Sequence, residues 1–210
     1  MSDHDFSFEP ARGLPAKLPA GETILWQGSP DSAALAIGAY KANWIFGYMM
    51  VLALWRTARA WADGGFPVGI ATLIPYLVLA AAVYGAVRLM AWAQARASIY
   101  TITTDRIILR IGAALPVTYT IPFRRMAAAH LEVKPDGTGT IAVEISEGLR
   151  LSYAVLWPHL RPGHGRQPQP ALRCIPGATA VARILAEAAQ TKVNEPVLTR
   201  ATPGAVLAAE

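Results

Sequence analysis

Apolar residues run almost without interruption from Ala33 to Trp92, and beyond Ala97 they alternate with polar ones. The two patterns predict two kinds of structure. From Gly69 to Trp92 the stretch GIATLIPYLVLAAAVYGAVRLMAW has the roughly 20 residues that cross a hydrocarbon core. Its single charge, Arg88, sits near one end, where a long side chain reaches the headgroups, and Pro75 introduces a kink that neighbouring helices accommodate. A second apolar segment, Leu35 to Trp55, carries Lys41 in its first two turns. Trp44, Tyr48, Met49, Met50, Leu52 and Leu54 surround that helix rather than forming one stripe, as expected inside a bilayer. The connection RTARAWADGGFP (Arg56 to Pro67) is short, so the two spans are expected to be antiparallel neighbours.

Period-two alternation then predicts strands at Ser98–Thr103, Arg106–Ile111 and Thr118–Ile121. His130–Lys134 and Thr140–Ile145 flank the turn sequence PDGTG, and Leu149, Leu151 and Tyr153 suggest a further strand. Trp157 to Gly177, rich in Pro, His, Arg and Gln, reads as an extended loop. Val181, Ile184, Leu185 and Ala188 fall at helical spacing, so Ala178–Gln190 is an amphipathic helix closing the domain. Before the spans, ETILWQGSP (Glu22 to Pro30) offers Ile24, Leu25 and Trp26 for packing on the domain or the bilayer. The expected division is a cytoplasmic arm at 1–34, a transmembrane hairpin at 35–92, an antiparallel β domain at 97–190 and a flexible tail at 191–210.

The formal charge of +5 changes this picture little, because the bases are not clustered among aromatics as nucleic-acid binding requires. They read instead as contacts to membrane lipids and as topology signals. Lys41, Arg88, Arg96, Arg106 and Arg110 outnumber Arg56 and Arg59 in the connection, which puts both termini in the cytoplasm. No basic, apolar and cleavable leader is visible, so an uncleaved helix is expected to direct insertion. The single cysteine, Cys174, cannot close an intramolecular disulfide.

Candidate chemistry is sparse. His159 and His164 are separated by LRPG, which does not form the helical turn that places two imidazoles on one metal, so both read as solvated loop residues. Cys174 beside Arg173 reads as a passive thiol. Asp105, Glu132, Asp136, Glu144, Glu147 and Glu187 show no catalytic pairing, and GTGT lacks the lysine and helix of a phosphate loop. The expectation is a protein that is not an enzyme and has no cofactor or metal. Arg124–Arg125, after Pro122, is the candidate basic pair for docking a partner or facing lipid.

TITTDRIILRIGAALPVTYTIPFRR (Thr101 to Arg125) resembles the bacterial pleckstrin-homology-like domain, with Tyr100, Ile102, Thr103, Arg106, Ile107, Ile108, Gly112, Ile121 and Pro122 in the motif positions. The resemblance implies that the antiparallel domain is of pleckstrin-homology-like type. Asp5–Asp31, Leu151–Gly163 and Gln169–Leu185 are further similar to the PuhB-type photosynthetic complex assembly proteins of purple phototrophic bacteria. That resemblance implies a factor in the inner (intracytoplasmic) membrane that helps build the reaction centre and its core light-harvesting antenna. Its partners would be reaction-centre or core antenna subunits, or a second copy of itself. Ala81 and Gly85, within the small residues Ala80 to Ala86, form the candidate helix-packing face for such a client. The alternative is a general membrane-stress or lipid-sensing protein of the same fold.

Overall fold

The computed structural model describes residues 13–146, 151–165 and 167–194. The apolar region forms one run of helix, α2 (Ala42–Ala97), broken at Gly65. Gly65 has φ 76° and ψ −175°, a backbone region open essentially to glycine alone. The halves on either side of it fold back on one another. The rings of Phe46 and Tyr84 lie 5.4 Å apart, although a straight helix would separate them by about 50 Å or more. Near the break, a Cβ added to Gly69 would lie 3.3 Å from that of Trp61. At the open end Ala42 and Ala91 are buried together with Ala36. Small residues, Ala53 and Ala80 among them, are buried in α2, while Val51, Leu54, Val78 and Leu79 are exposed.

Two boundaries differ from expectation. The connection expected over Arg56–Pro67 is helical except at Gly65. Arg and Ala are good helix formers, and Pro67 falls in the first turn after the break, where its missing N–H costs nothing. The first apolar helix begins at Ala42 rather than Leu35, because Lys41 adopts a left-handed conformation (φ 57°) at its head. Lys41 therefore stands outside the apolar segment. Leu35 belongs to a separate short helix, α1 (Ser32–Gly38), and is buried against Ala95 and Cys174.

The β domain has two antiparallel sheets. One has the order β1 (Ile24–Gly28), β2 (Ile99–Thr103), β3 (Arg106–Ile111) and β4 (Val117–Pro122). The other has β5 (Met126–Val133), β6 (Thr138–Ile145) and β7 (Ala171–Pro176). α4 (Ala178–Asn194) lays Ala178, Val181, Leu185 and Ala188 on a core that includes Tyr100, Ile102, Leu109, Phe123, Ile141 and Leu172. The arm, whose Ile24, Leu25 and Trp26 are expected to pack on the domain or the bilayer, is partly a strand of the domain, with Gly28 opposite Tyr100 and Ile24 opposite Thr103. The expected loop at Trp157–Gly177 contains β7. The strand expected around Leu149–Tyr153 falls partly outside the described residues, and Tyr153–Leu156 is a helical turn, α3. The tail beyond Asn194 also lies outside them.

Register fixes which end of the domain meets the helices. β2 follows α2 after Ser98, and Ile99 pairs with Arg110, so the β3–β4 turn lies at the α2 end. There the Ala113 N–H donates to Gln94 Oε1 at 3.0 Å. Arg106 pairs with Pro122 at the opposite end.

Candidate functional site at the helix–sheet junction

The last turn of α2, the start of β2, the loop before β7 and β7 itself converge on His159, which is fully buried. Nδ1 of His159 lies 2.5 Å from the Tyr100 hydroxyl, and Nε2 lies 3.0 Å from Ser98 Oγ. The shorter contacts assign the tautomer, over a longer approach of the Gln94 amide nitrogen to Nε2 at 3.4 Å. The Tyr100 oxygen accepts from the Arg173 N–H at 3.4 Å, so its own proton goes to Nδ1. The Ser98 hydroxyl donates to the Gln94 carbonyl at 2.7 Å, which leaves its oxygen to accept from Nε2–H. His159 is therefore held neutral. Burial, aided by the positive charge of Arg173, pushes its pKa down to about 3. Burial likewise pushes the Tyr100 hydroxyl up.

Arg173 ties three elements together. From β7 its Nη1 donates to the Pro158 carbonyl at 3.0 Å and its Nη2 to the Gly38 carbonyl, at the end of α1, at 3.1 Å. Among the described residues no carboxylate pairs with it. The ring of Tyr40, between α1 and α2, meets Trp157 edge-on at 4.9 Å. Ser98 beside an imidazole suggests a nucleophile, but both are buried and the serine proton is directed at Gln94. The arrangement ties the last turn of α2 to β2 and to the loop before β7.

A second buried polar group lies at the far end of the first sheet. The Glu22 carboxylate accepts both the Nε (2.9 Å) and the Nη2 of Arg106, and the Thr103 hydroxyl at 2.7 Å. Thr103 Oγ1 also accepts from the N–H groups of Asp105 and Arg106, closing the β2–β3 turn. The polar positions of the motif are thus hydrogen-bonding positions, Tyr100 and Thr103 fully buried and Arg106 partly so.

The other expected residues are dispersed. Arg124 and Arg125 are exposed on a 3₁₀ turn at the end remote from α2, so they do not face the plane where α2 emerges. Ala81 and Gly85 are exposed on the outer side of α2, and nothing lies within 4 Å of where a Gly85 Cβ would be. Cys174 is buried, with its thiol pushed up by burial. The reading of His159 as solvated is corrected, since Leu156 and Leu160 on either side of it are buried in the core; His164 stays near the surface, bonded to the Pro162 carbonyl. No trio of metal-ligating side chains occurs among the described residues.

Two cavities open among the described residues. An apolar one of about 480 Å³ lies between α4 and β5. One of about 620 Å³, with Asp31, Lys41, Lys134 and Asp136 in its lining, lies between α1, the head of α2 and the β5–β6 turn.

A helix-closed pair of antiparallel sheets, joined through a buried polar junction to a long apolar helical run, defines the class. The chain belongs to the bacterial PH domain family, whose model matches residues 32–189. It is 56% identical over 213 residues to a Rhodobacter capsulatus protein described as an uncharacterized 23.7 kDa protein in the puhA 5′ region, covering 99% of each chain. A crystal structure of a duf1696 family protein with a pleckstrin-homology domain from Shewanella loihica overlaps 44% of this chain and 71% of its own, at 12% identity and a TM-score of 0.30.

Proposed function

We propose that the protein is a noncatalytic membrane assembly factor for the photosynthetic reaction centre and its core light-harvesting complex. The observation carrying this reading is the full-length relative in the puhA 5′ region, which agrees with the PuhB-type resemblance of the Asp5–Asp31, Leu151–Gly163 and Gln169–Leu185 segments. Deletion of the gene, followed by absorption spectra and pulse-labelling of reaction-centre subunits, tests it. Slowed accumulation of the core complex is expected, and normal assembly kinetics would sink the reading.

In this reading α2 crosses the bilayer twice. Residues 42–64 span about 35 Å, enough for a hydrocarbon core of about 30 Å. Trp44 and Trp92 stand at the open end and Trp61 and Phe66 near the Gly65 break, which supports one aromatic belt per interface. The basic excess at the open end favours cytoplasmic termini and an inner-membrane location.

The client helix, or a second copy of the chain, docks on the Ala81–Gly85 face. Ala80, one position away, is buried within this chain's own α2, whereas Ala81 is not. Ala81→Leu with Gly85→Leu is therefore expected to leave the melting temperature within a few degrees of wild type while impairing core-complex assembly. Ala80→Leu overpacks the seam and is expected to cost about 1–3 kcal/mol. Comparing thermal melts with complex yield separates the two. Unchanged assembly and self-association in the double variant would remove this face from the proposal.

A further inference from the structure

The geometry points to the cavity at the head of α2, apolar in much of its lining and bearing four charged residues, as a binding site for a phospholipid whose headgroup carries an ammonium beside its phosphate. The inference rests on the membrane-spanning reading of α2. Asp31, Ile37, Lys41, Trp44, Lys134 and Asp136 line about 620 Å³ of space.

Four observations converge. First, among the described residues neither lysine has a carboxylate within ion-pair distance; the Lys134 ammonium reaches only the Cys174 sulfur, at 3.9 Å. Second, the head of α2 has no side-chain cap, and the residue standing there is Lys41, a cation where the helix dipole favours an anion. A phosphate between Lys41 and Lys134 would reverse that mismatch. Third, the two carboxylates are held in place from behind. Asp31 Oδ1 accepts from the Ala34 N–H at 2.7 Å, and Asp136 Oδ1 accepts from the N–H and hydroxyl of Thr138 at 2.9 and 2.7 Å. Those bonds hold the Asp136 carboxyl below its ordinary range. Two cations and two anions around one space suit a zwitterion better than a purely anionic group. Fourth, the position is right. Ala42 packs against Ala91, so Lys41 lies level with Trp92 and Arg88 at the polar boundary of the spanning segment, and exposed Trp44 flanks the opening below it.

The test uses the full chain in detergent, exchanged into nanodiscs of defined lipid and read by native mass spectrometry. With phosphatidylethanolamine, wild type is expected to retain one phospholipid that Lys41→Gln/Lys134→Gln loses, with a drop in the bound fraction of about tenfold. Lys41→Arg/Lys134→Arg and the remote Arg183→Ala are expected to retain it. Lys134→Gln alone leaves the left-handed Lys41 untouched, and with an unchanged thermal melt it is expected to reproduce most of the loss. Equal retention in the glutamine variants overturns the site. Equal retention of phosphatidylglycerol overturns the zwitterionic headgroup, and displacement of lipid by millimolar inorganic phosphate overturns a lipid source. Carbonate extraction of membranes reads the spanning separately. A chain released by carbonate overturns that reading and the site with it, and a carbonate-resistant chain with no lipid difference overturns the site alone.

Discussion

Acidification below about pH 6.5 is expected to weaken the folded chain by about 1.4 kcal/mol per pH unit, and His159→Gln is expected to abolish that slope. The sign follows from the junction. His159 is neutral in the folded chain, with its pKa pushed down to about 3 by burial and by Arg173, whereas the unfolded chain has the ordinary histidine value. Above pH 6.5 neither state takes up the proton, and the full stability is present. Between pH 6.5 and 3 only the unfolded state takes it up, so stability falls; below the folded pKa the loss is complete. A protonated Nδ1 would confront the Tyr100 hydroxyl proton, and the new charge would sit near the Arg173 guanidinium. Thermal melts of the full chain in detergent between pH 7.5 and 5 provide the measurement. The glutamine variant is expected to start less stable, because its amide does not reproduce both ring contacts. The difference in slope is therefore the readout, and every other titrating group cancels between the two proteins. Parallel slopes would show that His159 protonates without opening the junction.

How much of this fold was legible depended on whether one face of an element meets solvent. α4 and the β5–β6 hairpin were visible because their patterns are one-sided or their turn chemistry is explicit; Asp136 bonds Thr138 as a turn aspartate should. β7 was missed for the opposite reason. Ala171 to Ile175 are all buried, so the strand has no alternation, and Cys174 at φ 52° interrupts its backbone. β1 was read as a packing segment because a single short strand gives no sign of its partner. The connection between the apolar segments misled through composition: Gly-Gly and Pro67 look like a loop, yet only Gly65 leaves the helix.

The junction was half visible. The motif picked out Tyr100, Thr103 and Arg106, but their partners lie far along the chain. His159 is 59 positions from Tyr100, and Glu22 is 84 from Arg106. Nothing in one sequence couples such pairs, and a histidine among Pro, Arg and Gln carries the signature of a surface loop. Arg124–Arg125 illustrate the converse. Two adjacent cations are easy to see, but only strand register shows that they stand at the end away from α2.

Arg106→Ala is expected to destabilise the chain by about 3 kcal/mol and to release β1 from the first sheet. Glu22 lies 81 positions from Thr103, and its carboxylate, with only 1% of the side chain exposed, is held between Thr103 and Arg106. Removing the guanidinium leaves that carboxylate buried with the Thr103 hydroxyl alone. The 30% exposure of the Arg106 side chain admits some water, which keeps the cost at the lower end for a broken buried pair. Arg106→Lys keeps the charge but loses the two-pronged contact, so an intermediate loss is expected. Glu22→Gln with Arg106→Met removes both charges and is expected to cost less than the sum of the single changes. The pH dependence distinguishes this pair from His159. Burial alone would raise the Glu22 carboxyl, but the Arg106 and Thr103 hydrogen bonds outweigh it, and the folded value lies below the ordinary carboxylate range. Its stabilisation is therefore complete above about pH 4.5 and is lost as the pH falls through the folded value, a window lower than that in which the His159 loss begins. Hydrogen exchange locates the effect. Arg106→Ala is expected to strip protection from Ile24–Gly28 while β6 amides keep most of theirs, because Glu22 anchors the strand that begins two residues later. Equal loss in β1 and β6 would mean that the pair supports the whole domain rather than the docking of its first strand.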